Sequence, residues 1–518
     1  MKYPSIFVQP NKLRINVLAN FAGSSWLALI QIALIPIYIQ FMGIEAYGLI
    51  GFYITIQAIF QALDLGFTPT MNRELARLST LSEGDAEIRS FARTMECVYW
   101  PLGLLIGISI LAAVPYISTQ WIRAEVLSEG TIREALFLMS GLMLIQWPLT
   151  LYLGGLMGIQ RQVLSNGLLI GLSVLSDGGA ILVLWLVSPT ITAYLKWQII
   201  AGLIRFFLLR KALWSCLPRG DESARFNPRL LRRVGHFAAG MTGITLTAIV
   251  LTQFDRVVLS KFLSLKEFGY YIVAVTVANG LLIIVSPVFN AVFPRFCSLV
   301  ASGKTDSLVT LYHLSTQLMA VLILPLGVLL CMYSREFLVL WTGSPELARN
   351  TWTILCLLVI GRMFNGLMHI PYALQLAYGW TGLGLRINIF LITGFVPGVI
   401  WLANQYGGLG AASIWAATNI IYMLVGVPLT HRRLLQGAAS RWFTEGLFLP
   451  LMMAVAVIWI GRTLLPSHES SPVAFLYATL IFLTAISSSC LSAPEARGWV
   501  AEELAKIRRS FAGSKPGP

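Results

Sequence analysis

The sequence predicts an all-α polytopic membrane protein of about fourteen transmembrane helices. Three observations predict it. Apolar stretches of about 20 residues follow one another almost without interruption from Ile15 to Cys490. The composition is 57% hydrophobic and only 12% charged, with a mean hydropathy of +0.75; soluble domains carry about 25% charged residues. Motifs in the first half also recur in the second at a constant spacing. A hydrocarbon core of about 30 Å takes about 20 helical residues, and unpaired backbone groups cannot face lipid. A β-barrel would instead show alternating segments of about ten residues.

The spans fall at roughly 16–40, 46–66, 95–117, 134–156, 164–187, 191–213, 235–260, 268–291, 310–333, 350–373, 382–403, 409–430, 443–465 and 473–490. Pro36, Pro287 and Pro371 are expected to kink their helices. An even count places both termini on one side. With the N-terminus inside, cytoplasmic segments hold about 26 of the 37 basic residues and outer loops about 7. That asymmetry predicts cytoplasmic termini. It also accounts for the net charge of +14 without nucleic acid. The densest basic cluster, from Arg210 to Arg233, follows span six and reads as topogenic and headgroup-contacting.

Six cysteines show no CxxC and no metal spacing, so neither a disulfide framework nor a zinc site is implied. The first apolar stretch is too long for a signal-peptide core and lacks an A-x-A signature, so the N-terminus is expected to be retained. The outer loops are short, the longest near 118–133 and 334–350, and leave no room for an extracytoplasmic catalytic domain. The cytoplasmic linker 71–94 reads as an amphipathic helical segment.

An internal repeat organises the chain. Phe41-Met-Gly-Ile-Glu-Ala-Tyr-Gly48 aligns with Phe262-Leu-Ser-Leu-Lys-Glu-Phe-Gly269, and the register carries on without a gap to Asp85 and Asp306. The segment from Tyr152 to Gly158 echoes that from Tyr372 to Gly379. Repeats of six spans share one orientation, related by an axis along the membrane normal. The expected division is an N-lobe over 1–214, a basic linker over 215–234, a C-lobe over 235–432, two extra helices over 433–490 and a cytoplasmic tail over 491–518. Two like-oriented lobes around a central cavity make a transporter architecture.

Polar residues within the spans mark where such a protein works, because a central charge costs about 2.5–3.5 kcal/mol on insertion scales. Several form stripes at helical spacing: Gln57, Gln61 and Asp64; Gln198, Gly202 and Arg205; Arg362, Asn365 and His369; Thr245, Thr252 and Asp255; Asn279, Ser286 and Asn290; Asn16, Asn20 and Ser24. Each stripe alone serves equally well as interhelical glue. Their spread over both halves, against nearly uncharged spans thirteen and fourteen, points to a shared watery cavity. Arg362, Arg205, Asn365, His369, Gln57, Gln61 and Asn279 are the candidate cavity and substrate-binding residues. Asp177, Asp64 and Asp255 are the candidate ion-coupling residues.

Asp177 lies mid-span without a basic residue one turn away. Burial disfavours a charged carboxyl, which suits this one to exchanging a proton or holding Na⁺. Arg362 is equally central, and its planar fork matches phosphate. Asp64 sits at a span end, where a helix-end or gating role fits. Asp255 and Arg256 are adjacent and point about 100° apart, so they cannot pair along one face. Lys196 can snorkel outward. No catalytic constellation, cofactor motif or GxxxxGK[ST] loop is present, so energy is expected from an ion gradient (H⁺ or Na⁺), a partner or the substrate gradient.

Four runs in order then carry a resemblance: Pro36-Ile-Tyr38 with Ala46-Tyr-Gly48; Leu63-Asp-Leu-Gly66 followed by Arg73-Glu-Leu-Ala-Arg77; Gly155-Leu-Met-Gly-Ile-Gln-Arg161 with Asn166; and Gln253-Phe-Asp-Arg-Val-Val-Leu-Ser260 followed by Phe268-Gly-Tyr270. Together they resemble the polysaccharide transporter family of lipid-linked oligosaccharide flippases. That family shares a superfamily with multidrug and toxin extrusion antiporters and lipid II flippases. The resemblance implies a V-shaped pair of six-helix lobes, alternating access, and flipping of an undecaprenyl-pyrophosphate-linked sugar unit for O-antigen, capsule or exopolysaccharide. It implies a cationic cavity, ion coupling, a polymerase and a chain-length regulator as partners, and a lipid-tail groove beside spans thirteen and fourteen. Spans one and two lack the core arginines of lipid II flippases, which disfavours that substrate. A multidrug or cation antiporter is the alternative. The basic balance of Lys196, Arg205, Arg256 and Arg362 over Asp64, Asp177 and Asp255 speaks against it. A membrane-embedded polymerase or ligase lacks its large outer loop here.

Overall fold

The computed structural model describes residues 10–79, 85–218, 224–464 and 472–512, and nearly all of them are helical. The first part comprises α1 (Pro10–Met42), α2 (Ile44–Ala62), α3 (Phe67–Leu78), α4 (Asp85–Tyr116), α5 (Glu129–Gly158), α6 (Gln162–Ser173), α7 (Gly179–Leu186), α8 (Ile191–Cys216) and α9 (Pro228–Phe262). There follow α10 (Leu265–Asn279), α11 (Leu282–Ala301), α12 (Thr305–Met332), α13 (Ser334–Thr342), α14 (Pro345–Ala377) and α15 (Thr381–Leu434). The last four are α16 (Ala438–Phe443), α17 (Leu449–Leu464), α18 (Pro472–Ser492) and α19 (Pro494–Ala512). Short π-helical turns occupy Ile117–Trp121, Val174–Gly178 and Thr444–Phe448.

Local chemistry sets several starts. Ser344 caps α14 by accepting the Leu347 N–H at 3.2 Å, with Pro345 at the first helical position. Asn227 precedes Pro228 in the same way. A proline there loses no hydrogen bond, because its N–H would be unpaired anyway.

Among the described residues nine helices are long and apolar enough to cross a membrane, or eleven when two bent pairs each count as one span. The fourteen expected spans are consistent with this. The 54-residue α15 is two helices joined at Gly407, whose φ of 56° and ψ of −135° are non-helical. Helices α8 and α9 carry the Arg, Lys and Asp residues that dilute their hydropathy. Pro36 and Pro371 lie inside continuous α1 and α14. In span eight the helix breaks after Asn279, ahead of Pro287, at Gly280. The linker 71–94 holds the end of α3 and the start of α4. Helix α3 bends 51° from α2, residues 80–84 lie outside the described set, and α4 begins at Asp85.

The chain divides into two compact units, Met1–Ile272 and Val273–Pro518. The repeat places its boundary at the 215–234 linker instead. The difference has a visible cause: α9 packs on α2, α3 and α4. Within unit 1 the repeat motifs meet reciprocally. A Cβ on Gly48 would collide with the Leu265 carbonyl and approach Gly269, and a Cβ on Gly269 would lie 2.6 Å from the Ile44 carbonyl. These are equivalent positions in the two motifs, so each glycine gives way to its counterpart's helix start. Ile272 fills the space beside Gly51 in the same register.

In unit 2 the two extra helices α17 and α18 pack against α12 through Val328, Ala454, Ile458, Ile481 and Ala485. Helix α19 leaves α18 at 108°. Gln317 holds its start, accepting from the Glu495 and Ala496 N–H groups at 2.8 and 3.1 Å. Arg441 bridges Glu445 and Glu495 beside it at 2.9 and 2.6 Å. Two cysteines distant in sequence also meet. The Cys331 thiol donates to the Cys356 carbonyl at 3.6 Å and the Cys356 thiol to the Cys331 carbonyl at 3.2 Å.

Candidate functional site: two polar helix faces

In unit 1 the site centres on Asp177. The expected span five is not one α-helix. Asp177 sits in the π-helical turn Val174–Gly178 between α6 and α7. A π turn inserts a residue into the ladder, re-aims a side chain and frees a carbonyl. The Trp197 indole N–H meets the Ser176 carbonyl at 3.0 Å. The ring lies where a Cβ on Gly179 would be, so Gly179 is what lets α8 seal the turn. The Ser176 hydroxyl donates to the Gln198 Oε1 at 2.7 Å. All three links therefore come from α8, the helix that carries Arg205.

Arg205 and Asp177 lie within electrostatic reach of each other, and no direct ion pair joins them among the described contacts. Tyr53 and Tyr194 adjoin Arg205, and Tyr38 adjoins Asp177. Tyr38 and Tyr194 meet edge to face at 5.3 Å. The Arg205 Nε is buried without a hydrogen-bond partner. Buried donors are nearly always satisfied by protein or water, so this one calls for a polar partner.

In unit 2 the site is one face of α14. Arg362, Asn365 and His369 are half-buried, while Gly361, Met363, Gly366, Leu367, Met368 and Ile370 between and beside them are buried. The Arg362 guanidinium lies 4.7 Å from the Trp415 ring centre. A cation over an indole face gains about 0.5–2 kcal/mol. The Asn365 amide donates to Asn419 at 2.8 Å, and Asn419 donates to the Trp415 carbonyl at 2.9 Å. His369 Nδ1 is 3.0 Å from the Asn365 carbonyl, and its ring meets Phe289 edge-on. Arginine, amide and ring are thus ordered by α15 and α11.

The remaining candidates separate. Gln57 donates to Gln146, tying α2 to α5. Gln61 is exposed, and its side chain makes no hydrogen bond among the described contacts. Asp64 lies where α2 breaks, between Ala62 and Phe67. It accepts the Thr68 N–H and hydroxyl, both at 2.9 Å, and so caps α3. Asp255 is buried and accepts the Tyr271 hydroxyl at 2.5 Å, while Arg256 donates to Gln253 at 3.1 Å. The neighbours do point apart. Asn279 ends α10 with a buried Oδ1 lacking a partner. Asn20 accepts from Asn166 at 2.6 Å, gluing α1 to α6; the side chain of Asn16 lies outside the described residues. Lys196 pairs with Glu134 at 2.9 Å on an exposed surface.

Sequence reasoning missed Glu96. It is 3% exposed and receives Arg93, Tyr152, Arg210 and Trp214 at 2.9–3.2 Å. Three of its donors lie on other helices, and only the Arg93-x-x-Glu96 spacing hints at it.

Comparison with known proteins follows the same lines. The "Polysaccharide biosynthesis protein" family matches residues 171–345. A Shigella flexneri protein assigned as an O-antigen transporter is 26% identical over 229 residues, which are 44% of this chain and 54% of that one. The succinoglycan biosynthesis transport protein ExoT of Rhizobium meliloti is 27% identical over 305 residues, 56% of this chain and 58% of that one. The chain thus spans somewhat over half the length of the curated relatives it matches. Among solved structures, the lipid II flippase MurJ in an inward closed conformation superposes with a TM-score of 0.73 at 14% identity, covering 94% of this chain and 99% of its own. An inward-facing multidrug resistance MATE family transporter gives 0.60 at 14%, covering 82% and 96%. Identities this low show the fold.

The fold and the apolar spans define a multi-pass membrane protein with the fold of the lipid II flippase and the multidrug transporter it superposes on. Its sequence likeness is to polysaccharide transport proteins, over part of their length.

Proposed function

We propose that this chain flips an undecaprenyl-pyrophosphate-linked oligosaccharide from the cytoplasmic to the periplasmic leaflet of a bacterial inner membrane, by alternating access of its two repeat halves. One observation carries the reading. The relatives are named for O-antigen transport and for transport in succinoglycan biosynthesis, and the family match covers the segment holding Asp177 and Arg205. Arg362, on the half-open face of α14, receives the pyrophosphate, because its fork offers paired N–H groups to phosphate oxygens. Asn365, His369, Gln57, Gln61 and Asn279 supply hydrogen bonds to sugar hydroxyls. Asp177 carries the coupling H⁺ or Na⁺, and Arg205 sets the field in which it does so. Asp64 and Asp255 support the helix ends. A polymerase and a chain-length regulator take up the flipped unit, and both termini face the cytoplasm.

The test is reconstitution of the purified chain in liposomes carrying a fluorescent undecaprenyl-pyrophosphate sugar. Quencher added outside should reach most of the probe only when the protein is present. A protein-dependent rate no faster than in empty liposomes, together with efflux of cationic dyes, would replace the flippase by the antiporter.

A further inference from the structure

Beside Glu96, at the ends of α4 and α8 nearest the 215–234 linker, lies a cavity of about 450 Å³ that the transport reading leaves without a role. Its walls are of two kinds. One is polar: Arg93 and Arg210 bracket the buried Glu96, whose carboxylate takes a nitrogen of Arg93 at 3.0 Å and of Arg210 at 3.2 Å. The other is apolar, made by Trp100, Pro101 and Phe206, with the Trp100 and Phe206 rings packed edge to face at 5.4 Å. Cys97 completes the rim and is exposed.

Three features make this a built site. Glu96 is more than nine-tenths buried and fixed by four donors, so it orients both guanidinium groups. The two arginine side chains nonetheless remain 45% and 43% exposed, with N–H groups in hand beyond the one nitrogen each gives Glu96. Two guanidinium charges against one carboxylate leave one net positive charge at the mouth. Arg89 extends the basic surface, held over Trp214 and bonded to the Pro218 carbonyl at 3.0 Å. From the cavity the apolar wall runs onto Trp100 and Leu104, exposed on α4, a helix long and apolar enough to cross a membrane, and onto the exposed Phe207 of α8.

We infer that this cavity binds the phosphodiester headgroup of an anionic phospholipid, with an acyl chain along Trp100 and Phe206. One net positive charge matches one phosphodiester charge, and the adjoining exposed apolar wall matches a ligand with a tail. Inorganic phosphate satisfies only the first, and a zwitterionic lipid brings a positive group to an already basic rim. Basic pockets between spans are suited to such headgroups.

The experiment uses Cys97 as a reporter. The full chain is reconstituted in nanodiscs of phosphatidylcholine alone or with phosphatidylglycerol, treated with a maleimide, and Cys97 alkylation is followed by peptide mass spectrometry. Phosphatidylglycerol should slow Cys97 alkylation several-fold while leaving Cys216 unchanged. Millimolar inorganic phosphate in phosphatidylcholine discs should not. In Arg93→Ala the protection should vanish. Arg210→Lys is a second variant that keeps the Glu96 charge compensated but loses the fork, and it should weaken protection with the fold intact by circular dichroism. Equal alkylation in both lipids would overturn the inference. Equal protection by inorganic phosphate would overturn the lipid as occupant, and undiminished protection in folded Arg93→Ala would overturn the cavity as its site.

Discussion

Asp177 and Arg205 in unit 1 stand within electrostatic reach of each other among three tyrosines, whereas Arg362 in unit 2 lies on an indole face above an amide pair. The first arrangement sets an acid against a base, so protonating Asp177 changes the local charge. The second is positive at every accessible pH, because arginine does not titrate there. A group that must take up and release an ion belongs in the first kind of place. A group that must hold a phosphate throughout a cycle belongs in the second. Under the proposed function, coupling therefore falls to unit 1 and anion binding to unit 2.

The largest expected effect is that of Arg362→Ala, which should lower flipping by at least about tenfold, corresponding to about 1.4 kcal/mol, with membrane insertion intact. Arg362→Lys should restore part of it, because charge returns without the fork. Next, Asp177→Asn should abolish ion-driven flux while substrate binding persists, read by counterflow against binding in detergent. If Arg362→Ala removed ion dependence and Asp177→Asn removed binding, the assignment would be reversed. The double variant Asp177→Asn/Arg205→Ala sharpens the first half. Coupled groups give non-additive effects of about 0.5–3 kcal/mol, so it should be less impaired than the two single losses combined.

Asn365→Ala should act more gently. It leaves Asn419 one partner short, at about 1 kcal/mol of stability, visible as a lower melting temperature with a modest loss of flux. The smallest effect is Lys196→Ala. Its pair with Glu134 is exposed on both sides, and such pairs contribute about 0–1 kcal/mol, so flux and melting should stay near wild type.

What could be read in the sequence, and what could not, follows from range. The α14 face was legible because Arg362, Asn365 and His369 recur with the helical period, which one chain segment carries by itself. The Asp64 cap was half legible, since it lies four residues before Thr68 in a Leu-Asp-Leu-Gly break. The Asp177–Arg205 proximity was not, because it depends on how α8 packs against the π turn, and that turn has no more signature than Gly178-Gly179. Glu96 was illegible for the same reason. Its donors come from α4, α5 and α8, and a glutamate near a span end reads as a solvated residue. The repeat was visible as a motif match. That Gly48 and Gly269 are small because each faces the other's helix start needed the packing.

The most direct measurement of the central claim is the leaflet distribution of undecaprenyl-linked sugar intermediates in a strain lacking this gene, complemented by wild type, Asp177→Asn or Arg362→Ala. The account predicts intermediates trapped in the inner leaflet without the gene, released by wild type, and trapped again with either variant at normal protein level. Normal surface polysaccharide and no trapped intermediate in the deletion strain would contradict it.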